Sequence, residues 1–153
     1  MAIKKILTKN NPILRKKSEA IQEFSDKISE LAKDMIETMN SRNGVGLAAP
    51  QIGYSVRLIT VAYKNGALIL TNPKIIRKSL RKNIGEEGCL CTPGVFGLVK
   101  RYNAVVVTAL NSKNQKIKFK AKGFFARVIQ HEIDHLDGIL FIDKVIKYTK
   151  GNE

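Results

Sequence analysis

The sequence contains no tryptophan, only four prolines and only two cysteines among 153 residues. Cys89 and Cys91 are separated by one residue, so a disulfide between them would close a very small and strained ring. A structural bridge is therefore not expected. In a reducing compartment such a pair is more often metal-binding, catalytic or unpaired.

Long apolar runs are also missing. No stretch approaches the length that a membrane span needs, so we expect no contact with a membrane. The first residues, Met1 to Leu7, form too short an apolar run for a signal-peptide core, and Lys4 and Lys5 add charge to it. With 44% hydrophobic residues and no internal repeat, the chain is predicted to be one cytoplasmic domain over residues 1–153.

Acidic residues are scarce: 13 Asp and Glu stand against 27 Lys and Arg, which gives a net charge of +14. Such a charge draws a protein toward polyanions, including nucleic acid, ribosomal RNA and acidic surfaces. The lysines are scattered from Lys4 to Lys150, and no recognised nucleic-acid-binding signature accompanies them. We expect a generally solvated basic surface without dedicated DNA binding. Contact with the ribosome surface rests on charge alone.

Two helices are predicted near the ends of the chain. Ser25 can cap the first, whose apolar residues recur at offsets of three and four. These residues are Ile28, Leu31, Ala32, Met35, Ile36 and Met39. Gly123 opens the second helix and Gly138 ends it.

Short strands are predicted between the helices. They cover 57–62, 67–70, 74–77, a stretch near Cys89, 104–110, and a strand with Ile117, Phe119 and Ala121 on one face. Because strands fill the middle and helices lie at either side, the predicted class is α+β rather than alternating α/β. We expect mixed or antiparallel strands packed around the second helix.

The sharpest chemical signal is the segment His131-Glu132-Ile133-Asp134-His135 in the second helix. Positions four apart lie on one face of a helix, so both imidazoles can reach one metal ion. Glu132 lies one position on, near enough to take a proton from a water bound to that ion. The alternative is a helix with two exposed histidines. The apolar residues around the segment argue against it.

A hydrolytic metal usually takes three protein ligands and keeps one position open for water. Downstream of His135 there is no further histidine, and the only carboxylates are Asp137, Asp143 and Glu153. Upstream, Cys89 or Cys91 could supply a thiolate and complete a Cys-His-His set. A cysteine here could equally be a small buried hydrophobic residue.

Three segments resemble the signature motifs of peptide deformylases, in order and with similar spacing. They are 44–51 (GVGLAAPQ), 87–91 (EGCLC) and 130–135 (QHEIDH). The similarity extends to the segments 12–15 and 136–141, so it spans nearly the entire chain. The resemblance implies an enzyme that removes the formyl group from the N-terminal methionine of new polypeptides.

The resemblance also implies a metal centre. Cys89, His131 and His135 would hold one divalent ion, typically Fe2+ in this family, with Zn2+, Ni2+ or Co2+ as substitutes. Glu132 would accept a proton from the attacking water and pass it to the leaving amine. The side-chain amide of Gln51 would stabilise the oxyanion, and so would the backbone N–H at position 90, a leucine.

By the same resemblance, the substrate peptide would pair with the protein backbone like an added strand, at Val45, Gly46 and Gly88. Its methionine side chain would enter an apolar pocket near Val45, Phe124 and Val128. We expect a monomer. The longer C-terminal helix that contacts the ribosome in some deformylases is expected to be truncated here, since the tail after Phe141 is short.

One departure concerns Cys91, because the family usually has serine at this position. Cys-x-Cys together with His-x-x-x-His could close a structural zinc site in a basic module that binds nucleic acid or the ribosome. Such a site has no use for Glu132 or Gln51. A zinc endopeptidase, the second alternative, would leave the cysteine motif and the glycine loop unexplained.

Overall fold

The computed structural model describes residues 2–151 as two antiparallel sheets and two helices. The elements are α1 (Asp26–Ser41), β1 (Gly46–Ala48), β2 (Leu58–Tyr63), β3 (Gly66–Lys78), β4 (Lys82–Cys89), β5 (Thr92–Tyr102), β6 (Ala104–Leu110), β7 (Lys116–Lys122), α2 (Gly123–Leu136) and β8 (Val145–Lys150). One sheet has the order β1-β2-β3-β6-β7, and the other has the order β4-β5-β8. The predicted α+β class is confirmed. Every pair of neighbouring strands within residues 2–151 is antiparallel, so the sheets are not mixed.

Helix α1 begins where the sequence predicts. The Ser25 side chain accepts a hydrogen bond from the backbone N–H of Ile28, which satisfies one of the unpaired donors at a helix start. The predicted apolar stripe buries Leu31, Met35 and Met39 in one core cluster with residues of β1 and β2. The helix therefore ends beside β1, and the glycine-rich segment 44–51 follows directly from it.

Helix α2 also has its predicted bounds, and it is the central element of the fold. Ten of its fourteen residues are buried. The reason is that it contacts β1, β2, β6 and β7 of the first sheet and β5 of the second. A helix enclosed in this way can direct polar side chains into a buried site. No helix within residues 2–151 has the length and apolar character needed to cross a membrane.

The predicted strand 104–110 is confirmed as β6, whereas other strand predictions were wrong in length. Residues 66–78 form the single strand β3, which continues through Pro73 with a register shift between Thr71 and Lys74. In place of the long hairpin formed by β4 and β5, the sequence predicted only a short strand near Cys89. Half of the β4 residues are exposed, and the buried positions of β5 include Gly97 and Arg101, so neither strand shows in its sequence the apolar alternation that marks a half-buried strand.

The chain tail differs from the expectation of a truncated helix. Residues Val145–Lys150 form β8, which pairs with β5 at the edge of the second sheet. Val145 and Tyr148 are half-buried, the other residues of β8 are exposed, and pairing with β5 satisfies the backbone of the strand. The C-terminal segment thus extends the sheet that carries Cys89.

Candidate active site

Helix α2 and strand β4 bring three potential metal ligands together. His131 and His135 lie one turn apart on the same face of α2, and Cys89 is the last residue of β4. Their ligand atoms all lie within 4.8 Å of one another. The Cys89 Sγ atom is 3.3 Å from Nε2 of His135. Two imidazoles and a thiolate converging at this distance suit one divalent transition metal.

His131 is held by a buried charge network. Its Nδ1 atom lies 2.9 Å from Oε1 of Glu87, which leaves Nε2 for an ion. Arg101 donates two hydrogen bonds to Glu87 at 2.9 Å, and Arg127 donates a third at 2.7 Å. Arg101 also pairs with Asp134 at 2.6 Å. Hydrogen bonding of this kind sets the tautomer and orientation of a ligand imidazole.

The network shifts the pKa values of both Glu87 and His131. Burial opposes the charge of Glu87, but the hydrogen bonds from Arg101 and His131 lower the pKa of this carboxyl far below its usual value. For His131, burial is again the opposing influence, and the hydrogen bond to Glu87 raises its pKa. Glu87 therefore carries its charge at neutral pH and makes the imidazole a more basic ligand.

His135 has a contrasting environment. It is fully buried, and its Nδ1 atom has no hydrogen-bond partner among residues 2–151. Burial, followed by the positive charges of His131 and the arginines, lowers its pKa well below the usual value. The imidazole is thus neutral at pH 7, which is the form that binds a metal.

Glu132 is buried beside the ligands, and its Oε1 atom has no partner within the described part of the chain. Burial raises the pKa of this carboxyl to about 7. Strand β1 passes so close that a Cβ on Gly46 would stand 2.6 Å from the Oε2 atom of Glu132. Only glycine leaves this carboxylate room in its present position.

Gln51 is oriented by two contacts. Its Oε1 atom accepts a hydrogen bond from the backbone N–H of Ala48 at 2.9 Å, and its Nε2 atom points at the Cys89 sulfur at 3.4 Å. Because the carbonyl side of the amide is engaged, the NH2 side faces the ligand group. The turn Ala49–Ile52 that follows β1 holds the side chain there, and Gln51 is buried.

The thiol of Cys89 also lies 3.2 Å from the sulfur of Cys91. This contact, followed by burial, raises the pKa of the Cys89 thiol well above its usual value. A thiolate at Cys89 therefore requires a cation beside it. The Nε2 atom that His131 leaves free, the neutral imidazole of His135 and a buried thiol with this requirement fit a divalent metal ion.

A cavity of about 410 Å³ opens onto these groups. Ten of the eleven predicted site residues line it: Val45, Gly46, Gln51, Gly88, Cys89, Leu90, Phe124, Val128, His131 and Glu132. The eleventh, His135, is buried and contacts Cys89. The structure thus brings together all the residues that the sequence singled out.

The supporting network was missed at the sequence level. Glu87 lay inside a quoted motif but received no role. Arg127 stands four residues before His131, on the same face of α2, and that spacing could have identified it. Nothing local marks Arg101, which reaches the site only because β5 pairs with β4.

Comparison with known proteins identifies the family. Residues 3–151 match the family model described as polypeptide deformylase. The chain belongs to this family. A peptide deformylase of Dictyoglomus thermophilum is 45% identical over 151 residues, which are 99% of this chain and 98% of that one.

Solved structures agree with this assignment. The crystal structure of a peptide deformylase from Thermotoga maritima superposes with a TM-score of 0.92 at 35% identity, covering 95% of this chain and 99% of that one. A Synechococcus elongatus peptide deformylase in complex with actinonin has a TM-score of 0.89 at 36% identity, covering 92% of this chain and 78% of that one.

Family membership decides the class of protein. Polypeptide deformylases are metal-dependent hydrolases of protein biosynthesis that remove the N-formyl group from nascent polypeptides, and this chain is one of them. The predicted family and enzyme class are confirmed. The alternative of a zinc-stabilised nucleic-acid-binding module is not supported.

Proposed function

We propose that the chain hydrolyses the formyl group of N-terminal formyl-methionine at the cavity between β1, β4 and α2. The observation that carries this proposal is the meeting of three ligand atoms within 4.8 Å beside Glu132, whose Oε1 has no other partner among residues 2–151. A closed structural site would not need a buried, unpaired carboxylate at this point.

Cys89, His131 and His135 would hold the ion, for which we propose Fe2+, with Zn2+, Ni2+ or Co2+ as substitutes. Mixed thiolate and imidazole ligation suits both iron and zinc. When bound, a divalent ion acts as a Lewis acid: it polarises the formyl carbonyl and lowers the pKa of water, so that the nucleophile can form at neutral pH. Cys91 stays outside this set, because a fourth protein ligand would fill the position that the water needs.

Glu132 is the proposed general base and acid. Its unpaired Oε1 atom is free to accept a proton from the attacking water, and burial keeps the affinity of the carboxylate for that proton high. The same atom then passes the proton to the nitrogen of the leaving amine. A carboxyl whose pKa lies near the working pH suits both transfers.

Gln51 and Leu90 are proposed to stabilise the oxyanion that forms when the formyl carbon is attacked. The NH2 group of Gln51 already faces the ligand group, because its carbonyl oxygen is held by Ala48. Leu90 lines the cavity directly after Cys89, and its backbone N–H is the proposed second donor. Donors that are fixed before reaction stabilise developing charge without reorganisation.

Two sheet edges support the binding of an extended peptide. Strand β1 is the edge of the first sheet and β4 is the edge of the second, and both border the cavity. We propose that the substrate backbone pairs at Val45, Gly46 and Gly88. Main-chain pairing is insensitive to side-chain identity, which suits an enzyme that accepts many nascent chains.

Specificity for methionine is assigned to the apolar wall of the cavity. Val45 and Phe124 are exposed large hydrophobic residues, and Val128 lies beneath them. Exposed apolar side chains that line one cavity mark a binding surface. An unbranched thioether side chain can adapt to such a surface.

The test is a formate-release assay on protein loaded with iron without oxygen. Formyl-Met-Ala-Ser should release formate, whereas acetyl-Met-Ala-Ser should remain nearly intact, because the added methyl group crowds the reacting carbon. Zinc-loaded protein serves as a metal control. Equal cleavage of both peptides, or cleavage of an internal peptide bond, would contradict the assignment.

We also propose that the enzyme acts as a cytoplasmic monomer near the ribosome, where formylated chains emerge. Charge supports this proposal: the segment 38–131 contains only two carboxylates, Glu86 and Glu87. Binding that depends on such charge must weaken steeply as salt is raised. Cosedimentation with ribosomes at low and high salt tests it, and sedimentation velocity tests the monomer.

A further inference from the structure

The proposed mechanism leaves one buried nucleophile unused. Cys91 is only 1% exposed and packs with Leu14 and Leu140, away from the cavity. Its sulfur nevertheless lies 3.2 Å from that of Cys89, closer to Cys89 than the Nε2 atom of His135 is. A small apolar side chain would fill the same space, so packing alone does not require a second thiol beside the metal ligand.

We propose that Cys89 and Cys91 form a reversible oxidation site, in which Cys91 captures Cys89 after attack by a hydroperoxide. This inference rests on the proposed role of Cys89 as the thiolate ligand. Its consequence is that oxidation releases the metal reversibly instead of destroying the ligand.

The chemistry balances in two steps. The Cys89 thiolate attacks the peroxide, the O–O bond breaks, and one proton is taken up, which gives a sulfenic acid on Cys89 and one molecule of water or alcohol. The Cys91 sulfur then attacks the Cys89 sulfur. A disulfide forms, the S–O bond breaks, and the Cys91 proton leaves with the hydroxyl as water. Two electrons pass from the sulfur pair to the peroxide.

Access determines which sulfur reacts first. Cys89 lines the cavity and is half-buried, so a small peroxide can reach it. Cys91 does not line the cavity and is only 1% exposed. Oxidation therefore begins at Cys89, and the second sulfur attacks from the protein interior, where peroxide does not compete.

Local backbone geometry allows the two sulfurs to meet. The register of β4 and β5 shifts between Gly88 and Cys89, and Cys89 pairs with Thr92 across the tight turn. Cys91 lies in this turn, two residues after Cys89, and the turn brings the two sulfurs to 3.2 Å. The ring that closes is small and strained, and strained disulfides are the more easily reduced ones. A cytoplasmic thiol reductant should therefore restore both cysteines.

The experiment compares wild-type protein with the Cys91→Ser variant, both loaded with zinc so that the metal itself undergoes no redox change. Each is treated with hydrogen peroxide, quenched with an alkylating reagent under denaturing conditions, and analysed by mass spectrometry. Both cysteines fall within 83–100, between Lys82 and the cleavage point after Lys100, so one tryptic peptide reports on both. Zinc release is followed in parallel.

We expect the wild-type peptide to lose two hydrogen atoms, release zinc, and regain both thiols and its zinc after reduction. The Cys91→Ser peptide should instead gain two or three oxygen atoms and fail to regain zinc. Cys89→Ser protein should show no oxidation of Cys91. Accumulation of sulfinic acid in the wild type, at the rate seen in Cys91→Ser, would overturn the proposal.

A second variant and measurements that do not depend on turnover distinguish failure of this proposal from failure of the proposed function. If Cys91→Ser does not fold, Cys91→Ala replaces it, and the wild-type peptide mass alone still distinguishes a disulfide from a sulfinic acid. Neither mass nor zinc content depends on turnover. A protein that fails to release formate but forms the disulfide would therefore contradict the proposed function and leave the oxidation site standing.

Discussion

Two buried glutamates, Glu87 and Glu132, flank the same histidine and have opposite environments. Glu87 receives hydrogen bonds from Arg101, Arg127 and His131, and its pKa is lowered. Glu132 has an unpaired Oε1 atom within the described residues, and burial raises its pKa to about 7.

The difference shows how one residue type can serve two purposes. A carboxylate that is saturated with charged donors keeps its charge and holds its partners in place. A carboxylate that is buried without donors exchanges a proton easily near neutral pH. Pairs of groups whose surroundings move their pKa values apart in this way identify acid–base roles.

The first prediction removes the proton carrier and has the largest expected effect. Glu132→Gln should lower kcat by about a thousandfold or more, because the acid–base step is lost, while the metal is retained. Formate release and metal content measure the two properties. Glu30→Gln, on the exposed face of α1, is the matched control. Loss of the metal from Glu132→Gln would instead make Glu132 a ligand.

The second prediction removes the paired carboxylate. Glu87→Gln should lower the free energy of unfolding by about 3–5 kcal/mol, because the buried Arg127 loses its carboxylate partner and Arg101 keeps only Asp134. Metal affinity should fall about tenfold to a hundredfold, since His131 loses its orienting partner. Urea unfolding of the metal-free protein and competition with a chelator measure these changes.

A matching comparison sharpens the contrast. Glu132→Gln should change the free energy of unfolding far less than Glu87→Gln, because Glu132 has no ion pair within the described residues to lose. Equal destabilisation by the two substitutions would remove the distinction between a structural and a proton-carrying carboxylate.

The third prediction displaces Glu132 without replacing it. Gly46→Ala places a methyl group 2.6 Å from the Oε2 atom of Glu132 and 2.9 Å from Val128, so the carboxylate must move. Misplacement by about an ångström should cost about a hundredfold in rate. The control is Gly66→Ala, since nothing lies within 4 Å of a Cβ at that position. Unchanged kcat in Gly46→Ala would show that the position of Glu132 is not critical.

The fourth prediction concerns an exposed carboxylate, whose ion pair with arginine should contribute much less to stability than the buried pairs of Glu87. Asp143 pairs with Arg15 at 2.6 Å, and despite partial burial this hydrogen bond lowers the pKa of Asp143. Both side chains are more than a third exposed, so the pair should contribute less than about 1 kcal/mol.

Its pH dependence has a definite sign. Because the pKa is lower in the folded state, the contribution is present above the unfolded value of about 4 and is lost as pH falls below it. The stability difference between wild type and Asp143→Asn should therefore shrink in acid. A double-mutant cycle with Arg15→Ala isolates the pair, and a difference that grows in acid would contradict the assignment.

Much of the candidate site could be predicted because its residues fall into short local segments. Helical spacing alone places His131 and His135 one turn apart on the same face of α2, with Glu132 directly after His131. Cys89 and Gln51 came from segments whose pattern resembles a known family. The role of Arg101 could not be predicted, because it is distant in sequence from both of its acidic partners.

The sequence by itself determined the two helices and the Ser25 cap, since spacing and capping depend on neighbours within a few residues. The proposed ligand set came from the helical spacing of the two histidines together with the family resemblance. Only the tertiary structure decided that Glu87 is hydrogen-bonded to arginines, whereas the Oε1 atom of Glu132 has no partner among the described residues. The helical spacing of His131 and His135 marks Glu132 in the sequence, but no local pattern shows that Glu87 is paired with arginines. The difference in environment arises from strand pairing and burial, which bring distant arginines to Glu87 and leave the Oε1 atom of Glu132 without a partner among residues 2–151.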